Sequence, residues 1–347
     1  MNKQKLQIVL LAMAAFTFTQ CKKNDTTTPA VAAKTVYVGG YETDGTNAVA
    51  KIWKDGTASS VTTTGNAGIQ AIYVSGTDVY AGGYETNGSN ITVAKIWKNG
   101  VATALTDGTK NANIRSVYIS GTDVYAGGYE NNGGKYIAKI WKNGVATALT
   151  DGTNDAIIAS IYIAGTDIYA AGYEKNASNK EVGKIWKNGT ATAVTTSTYG
   201  NAELTAVFVS GTDVYAAGYE PDINTNDIAK VWKNGVPSTL AGGTPLSAYA
   251  MSVVVSGTDV YVGGNVYQPT NIATAMIWKN GVATALTDGT KTASVKSIFV
   301  SGTDIYAVGY ETNAAGTFYI AKLWKNGVAT TLSDGTKSDI PYTVFVK

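Results

Sequence analysis

The chain has 347 residues, a formal net charge of +2, 15% charged residues, 39 glycines, and 22 tyrosines against 6 phenylalanines. It has no histidine, a single cysteine (Cys21) and a single arginine (Arg115). That excludes His/Cys metal sites, Ser–His and Cys–His nucleophiles and disulfides within the chain, and a chain so near neutrality lacks the basic footprint of a nucleic-acid binder.

Residues 1–20 read as an export signal. Met1–Lys5 is basic, and Leu6–Thr19 is mostly apolar but too short to span a bilayer. Cys21 follows directly. The arrangement resembles a bacterial lipoprotein signal, in which the cysteine becomes the lipidated first residue; Gln20 stands where that family prefers a small residue. Lys22-Lys23-Asn24-Asp25 resembles the charged tract of surface-exposed Bacteroidota lipoproteins, and Thr26–Ala33 makes a polar tether. The resemblance implies an exported protein held on the outer membrane, facing the cell surface, by acyl chains worth about 0.8 kcal/mol per buried CH2.

From residue 34 onward the chain is a repeat. W-K-N-G-V-A-T-A-L-T-D-G-T occurs word for word from Trp97, Trp141 and Trp278, with weaker copies from Trp53, Trp186, Trp232 and Trp324. The spacings of these seven tryptophans are 44, 44, 45, 46, 46 and 46 residues, a period that marks a repeat architecture. One unit shows four short strands. Ile69–Ser75 is strand A, Asp78–Glu85 strand B, Thr92–Lys98 strand C and Val101–Leu105 strand D, with Asn99-Gly100 as a two-residue hairpin between C and D.

Four antiparallel strands per unit predict the blade of an all-β propeller, with a linear β-solenoid as competitor. The chain ends separate the two. Residues 35–63 supply only B, C and D of the first unit, and the missing A strand stands at the other end as Thr343–Lys347. A last strand that completes the first sheet closes a ring of seven blades, whereas a solenoid would end in atypical caps. The double glycine after Val-Tyr in strand B and this closure resemble the kelch type of propeller over residues 34–347. The tryptophan, inside strand C, departs from the kelch position. The W-K-N-G repeats also resemble those of uncharacterised Bacteroidota surface lipoproteins.

Four sets of recurring residues are expected to be structural. The tryptophans should be core, with Gly39, Gly82, Gly127 and Gly263 leaving space opposite the ring. Glu42, Glu85, Glu130, Glu174, Glu220 and Glu311 should pair with Lys51, Lys95, Lys139, Lys184, Lys230 and Lys322 as exposed ion pairs; in the sixth blade both positions are apolar, Val266 and Met276. The aspartate of S-G-T-D should bond nearby backbone N–H groups in the A–B turn. T-D-G-T lacks the dense oxygen spacing of a calcium loop, and no cofactor or metal is expected.

Two places could carry function. The B–C and D–A loops share one face and vary in length, and variable loops on a rigid scaffold are where binding sits. The largest departures fall around blades five and six: Tyr199, Tyr249, Asn265, Tyr267 and Gln268, a platform for sugar or peptide. The second is the mouth of the central channel, where each A strand contributes a different residue: Gln70, Arg115, Ala159, Thr205, Met251, Lys296 and Tyr342. There Arg115 and Lys296 suit an acidic group. The expectation is a monomeric, non-enzymatic recognition or scaffold module for carbohydrate or an envelope protein. The alternatives are a propeller hydrolase, for which Asp44, Asp155, Asp222 and Asp227 are the free acids, and a lectin with seven inter-blade sites.

Overall fold

Each W-K-N-G motif turns a hairpin. Asn99 and Gly100 both have positive φ, 51° and 83°, as a two-residue I′ turn demands, and the other six hairpins match, with Asp55 replacing asparagine in the first. This is seen in a computed structural model that describes residues 34–347 apart from 44, 63, 64 and 241–246. The export signal, Cys21, the tether and Asp44 lie outside the described residues.

Side chains lock this hairpin to the A–B turn of the same blade. Asn99 Oδ1 accepts from the Val79 N–H at 2.8 Å, Asn99 Nδ2 donates to Asp78 Oδ1 at 2.8 Å, and Lys98 Nζ lies 2.7 Å from Asp78 Oδ2. The same lock recurs in blades three to seven. The turn aspartate therefore bonds the side chains of the C–D hairpin, not the backbone N–H groups near it as expected. In blade one, which has no such aspartate, Lys34 reaches Asp304 of blade seven at 3.1 Å.

The described residues form seven four-stranded antiparallel sheets, each in the order A-B-C-D. Blade one is closed by the chain's last strand. Ser338–Val346 pairs with Val36–Thr43, from Val36↔Val346 to Thr43↔Ser338. The closing strand has 9 residues, longer than the segment recognised in the sequence, because pairing continues past its bulge at Tyr342 as far as Ser338. The A strands meet in a ring, blade one touching both two and seven. Hydroxyls stitch that ring: Ser116, Ser160, Ser252, Ser297 and Thr343 accept from the N–H groups of Ile161, Val207, Ile298, Val344 and Ile72 in the following blade, at 3.0–3.3 Å. The outer D strands are four residues each, exposed throughout except for Ala283 of blade six, short edges that limit pairing with other chains.

The core lies between blades. All seven tryptophans are at most 1% exposed. Each faces back onto the preceding blade: Trp97 packs with Ala50 of blade one, Trp141 with Ala94 and Ile96 of blade two, and Trp53 Nε1 donates to Leu332 O of blade seven at 3.1 Å. The residue opposite Trp97 on strand B is Ala81, not Gly82. Gly82 faces the other way, where a Cβ would collide with Val117 and Ile114 of blade three. The first glycine of the pair thus makes room for the following blade and not for its own tryptophan, which corrects the sequence expectation.

The Glu–Lys pairs form in all six blades, including Glu42–Lys51 and Glu174–Lys184 at 2.5 Å and Glu85–Lys95 and Glu130–Lys139. They are half-buried and not exposed. Glu220 is 5% exposed and also accepts from the Thr196 N–H and hydroxyl at 3.2 Å, which leaves Lys230 at 3.4 Å.

Candidate ligand-binding channel

Strand A carries a β-bulge at the same place in all seven blades. The register skips one residue each time: Gln70, Arg115, Ala159, Thr205, Met251, Lys296 and Tyr342. A bulged residue leaves the ladder, and its side chain is re-aimed. These seven line one cavity of about 340 Å3 on the axis. The channel residues picked out by their variation are therefore the bulged ones.

The second glycine of the strand B pair accounts for the bulge. It is glycine in every blade: Gly40, Gly83, Gly128, Gly172, Gly218, Gly264 and Gly309. At each, a Cβ would overlap a carbonyl oxygen of strand A just before the bulge, that of Gly68 for Gly83. Only glycine lets the bulged backbone come so close.

A second cavity of about 250 Å3 opens over blades five to seven, lined by Tyr219, Tyr249, Asn265, Tyr267, Ser294 and Tyr310 among others. Glu203, Thr205, Met251 and Lys296 line both cavities, so the two adjoin. Blade six makes the opening. Asn265 stands where the other blades have Tyr41, Tyr84, Tyr129, Tyr173, Tyr219 and Tyr310, and a smaller side chain leaves a gap in a ring of phenols. Its amide is 5% exposed and its Oδ1 accepts from the Ser294 hydroxyl at 2.9 Å.

The aromatic walls are held edge to face. The Tyr249 ring lies 4.8 Å from Tyr219 and 6.1 Å from Tyr267, and its hydroxyl donates to Asp227 Oδ2 at 2.6 Å. The Tyr267 N–H donates to Ser247 O at 2.8 Å, which joins the B–C and D–A loops as the alternation of strands implies. Burial pushes Tyr310 up to about 12, and burial with nearby carboxylates pushes Tyr219 and Tyr249 higher. All three stay neutral hydroxyls. At the far end of the A strands, Tyr73, Tyr118, Tyr162, Phe208, Phe299 and Phe345 form a collar of rings 4.9–5.1 Å apart, broken by Val254 of blade six.

Three charges enter the channel. Lys296 Nζ sits 5.5 Å from the Tyr310 ring centroid, and the Arg115 guanidinium 5.9 Å from that of Tyr129. Burial lowers the Lys296 pKa. Glu203 is the third, from blade five. Its carboxyl hydrogen-bonds the Glu181 carboxyl of blade four and the Tyr219 hydroxyl, and burial together with Glu181 raises its pKa to about 7.

Of the residues predicted for the loop face, Tyr249, Asn265 and Tyr267 come together, and Lys296 from the channel set joins them. Tyr199, 50% exposed, and Gln268 line neither cavity. Gln268 instead closes the B–C loop through its backbone, with N–H to Ile272 O and O from the Asn271 N–H. The 241–246 stretch of the D–A loop lies outside the described residues. The acids Asp155, Asp222 and Asp227 are occupied: Asp155 by Lys135 and Lys175, Asp222 by the Asn224 and Asn226 N–H groups, Asp227 by Tyr249. The Asp107 carboxylate of T-D-G-T accepts from the Thr109 N–H and hydroxyl, and among the described residues no group of three or more acids or cysteines is placed to hold a metal. Sequence reading missed Glu203 with its partner Glu181, and Ser294, the partner of Asn265. A signal was present, because the position two before the bulge varies from blade to blade as the bulge itself does: Gly68, Asn113, Ile157, Glu203, Tyr249, Ser294 and Ile340.

No known family and no curated protein matches the chain. Solved structures do. The β-propeller domain of the Trilobed protease from Pyrococcus furiosus, described as having an open velcro topology, aligns with a TM-score of 0.51 at 11% identity, over 87% of this chain and 95% of that one. The computationally designed Ika8 protein aligns with a TM-score of 0.45 at 16% identity, over 89% and 96%. Pyrococcus horikoshii acylaminoacyl peptidase aligns with a TM-score of 0.48 at 14% identity over 76% of this chain, which spans 46% of the peptidase. The likeness is one of fold. Unlike the open velcro of the Pyrococcus furiosus domain, this ring is closed by a strand from the far end of the chain.

Proposed function

We propose that this protein is a non-enzymatic recognition module that binds a saccharide at the channel mouth over blades five to seven. One observation carries the reading: a cavity of about 250 Å3 walled by four tyrosines with an amide, a hydroxyl, a carboxyl and an amine converging on it. Aromatic faces match the apolar C–H faces of sugar rings, and a few fixed polar groups read hydroxyls. The opening exists because blade six departs from the repeat, which favours one site per chain over seven equivalent inter-blade sites.

The carboxyl pair favours binding over hydrolysis. Glycoside hydrolases place two carboxyls about 5–9.5 Å apart, on either side of the bond they break. Glu203 and Glu181 instead hydrogen-bond each other. The proposal includes attachment through lipidated Cys21 to the outer membrane, with residues 22–33 as a tether that presents the mouth at the cell surface. Kinship with kelch-type propellers belongs to the same proposal and rests on the double glycine. A glycan-array screen of the purified protein, with and without calcium, tests the reading. A specific hit whose binding Tyr267→Ala abolishes supports it. Silence across glycans, with an envelope protein captured through the same mouth, replaces the saccharide by a protein partner.

A further inference from the structure

Arg115 and Lys296 are cations with no carboxylate in direct contact, and Glu203 acts on Arg115 only through space. Neither makes an ion pair or a side-chain hydrogen bond among the described residues, and Arg115 Nε is buried with no partner. Both are bulged residues, so both side chains leave the ladder for the axis, and both line the same cavity of about 340 Å3. Each rests on the tyrosine ring of its own blade, Tyr129 or Tyr310. A cation held on an aromatic face keeps its remaining N–H donors directed away from the ring. Buried cations are ordinarily paired. Here the lysines at the Glu–Lys positions, and those at the Asp–Lys positions of blades two to seven, have carboxylate partners, while Arg115 and Lys296, which face the cavity, make no such pair.

The third wall limits what fits. Glu203 lines the same cavity, hydrogen-bonds Glu181 and lies within electrostatic reach of Arg115. An acidic wall beside the two cations repels a multiply charged anion more than a monoanion. The planar guanidinium also matches a carboxylate in two parallel hydrogen bonds.

We propose that the channel binds the carboxylate of an acidic sugar between Arg115 and Lys296, with the sugar ring seated in the tyrosine-walled mouth. The inference rests on the saccharide reading for its ring and stands on the two unpaired cations for its charge. Lys296 lines both cavities and is the point where ring and carboxylate meet.

The test is calorimetric titration of the purified protein with uronate oligosaccharides, their methyl esters, sodium acetate and inorganic phosphate. The variants are Arg115→Gln and Lys296→Met. Both place in their blade a residue that another blade already carries at the bulge, Gln70 or Met251, so the fold is retained. The expected result is at least tenfold tighter binding of the acid than of its ester, with each variant bringing the acid down toward the ester, and with the ester unchanged in Arg115→Gln, whose side chain does not line the tyrosine-walled mouth. Equal affinity for acid and ester overturns the inference and leaves the saccharide reading standing. Binding of acetate, lost in the variants, with no sugar binding at all overturns the saccharide reading and upholds the anion site. Phosphate bound tighter than acetate overturns the carboxylate assignment. No binding of any probe overturns both.

Discussion

Gly83 lies directly against the carbonyl oxygen of Gly68, so close that a Cβ on Gly83 would overlap it. This contact seats the bulge that turns Gln70 into the channel. Gly83→Ala should therefore force the backbone apart, at a cost of about 3 kcal/mol or more. Gly82→Ala should cost less, because its Cβ meets only the side chains of Val117 and Ile114, and alanine stands at the equivalent positions 171 and 217. Thermal melting of the two variants checks the order; equal losses would contradict it.

The tryptophans are expected to differ by their indole nitrogens. Truncating any one to alanine should cost about 3–5 kcal/mol. Trp53 Nε1 donates to Leu332 O, whereas Trp141 Nε1 is buried without a partner among the described residues. Trp53→Phe should then cost about 1 kcal/mol more than Trp141→Phe. Denaturant melts of the two phenylalanine variants measure the difference.

Glu203 makes stability fall as pH rises. Its pKa is about 7 in the folded chain and about 4.3 in an unfolded one. Between those values the folded state holds a proton that the unfolded state has lost, so each step up in pH within the window removes stability. Asp339, raised to about 6 by burial and by Glu42, acts with the same sign. Glu203→Gln should melt close to wild type at pH 5 and a few degrees above it at pH 8, with the Asp339 slope left in place. A variant that loses stability at pH 8 would show that Glu203 is needed as a carboxylate.

The ring depends on its last strand. Ser338–Val346 supplies strand A of blade one, and Ser297 and Thr343 join it to both neighbours. Ending the chain before Ser338 should destroy the cooperative melt of the propeller, whereas Ser297→Ala should cost only about 0.5–1.5 kcal/mol. Differential scanning calorimetry distinguishes the two effects.

Much of this was legible in the sequence, and the reasons are local. Asn99-Gly100 announces its turn through backbone conformation alone, the spacing of the tryptophans gives the period, and the missing first strand A gives the closure. What was not legible depends on direction across the ring. Sequence reading set Gly82 opposite its own tryptophan, but which face of a blade looks forward and which back is decided by packing between units, not within one. Glu203 and Glu181 sit in different blades, 22 positions apart in the chain, and meet only because the ring brings the start of one strand A beside the preceding strand C. Tyr199 looked like part of the site because it departs from the repeat; departure marks an exposed loop tip as readily as a binding wall. Asn265 carried more, since it replaces a tyrosine that otherwise lines the mouth.

The measurement that bears most directly on the central claim is the stoichiometry of saccharide binding, taken by calorimetry on the purified protein and on Tyr267→Ala. The account predicts one ligand per chain, lost in the variant, because only blades five to seven open the mouth. Seven ligands per chain, or one that binds the variant unchanged, would contradict it.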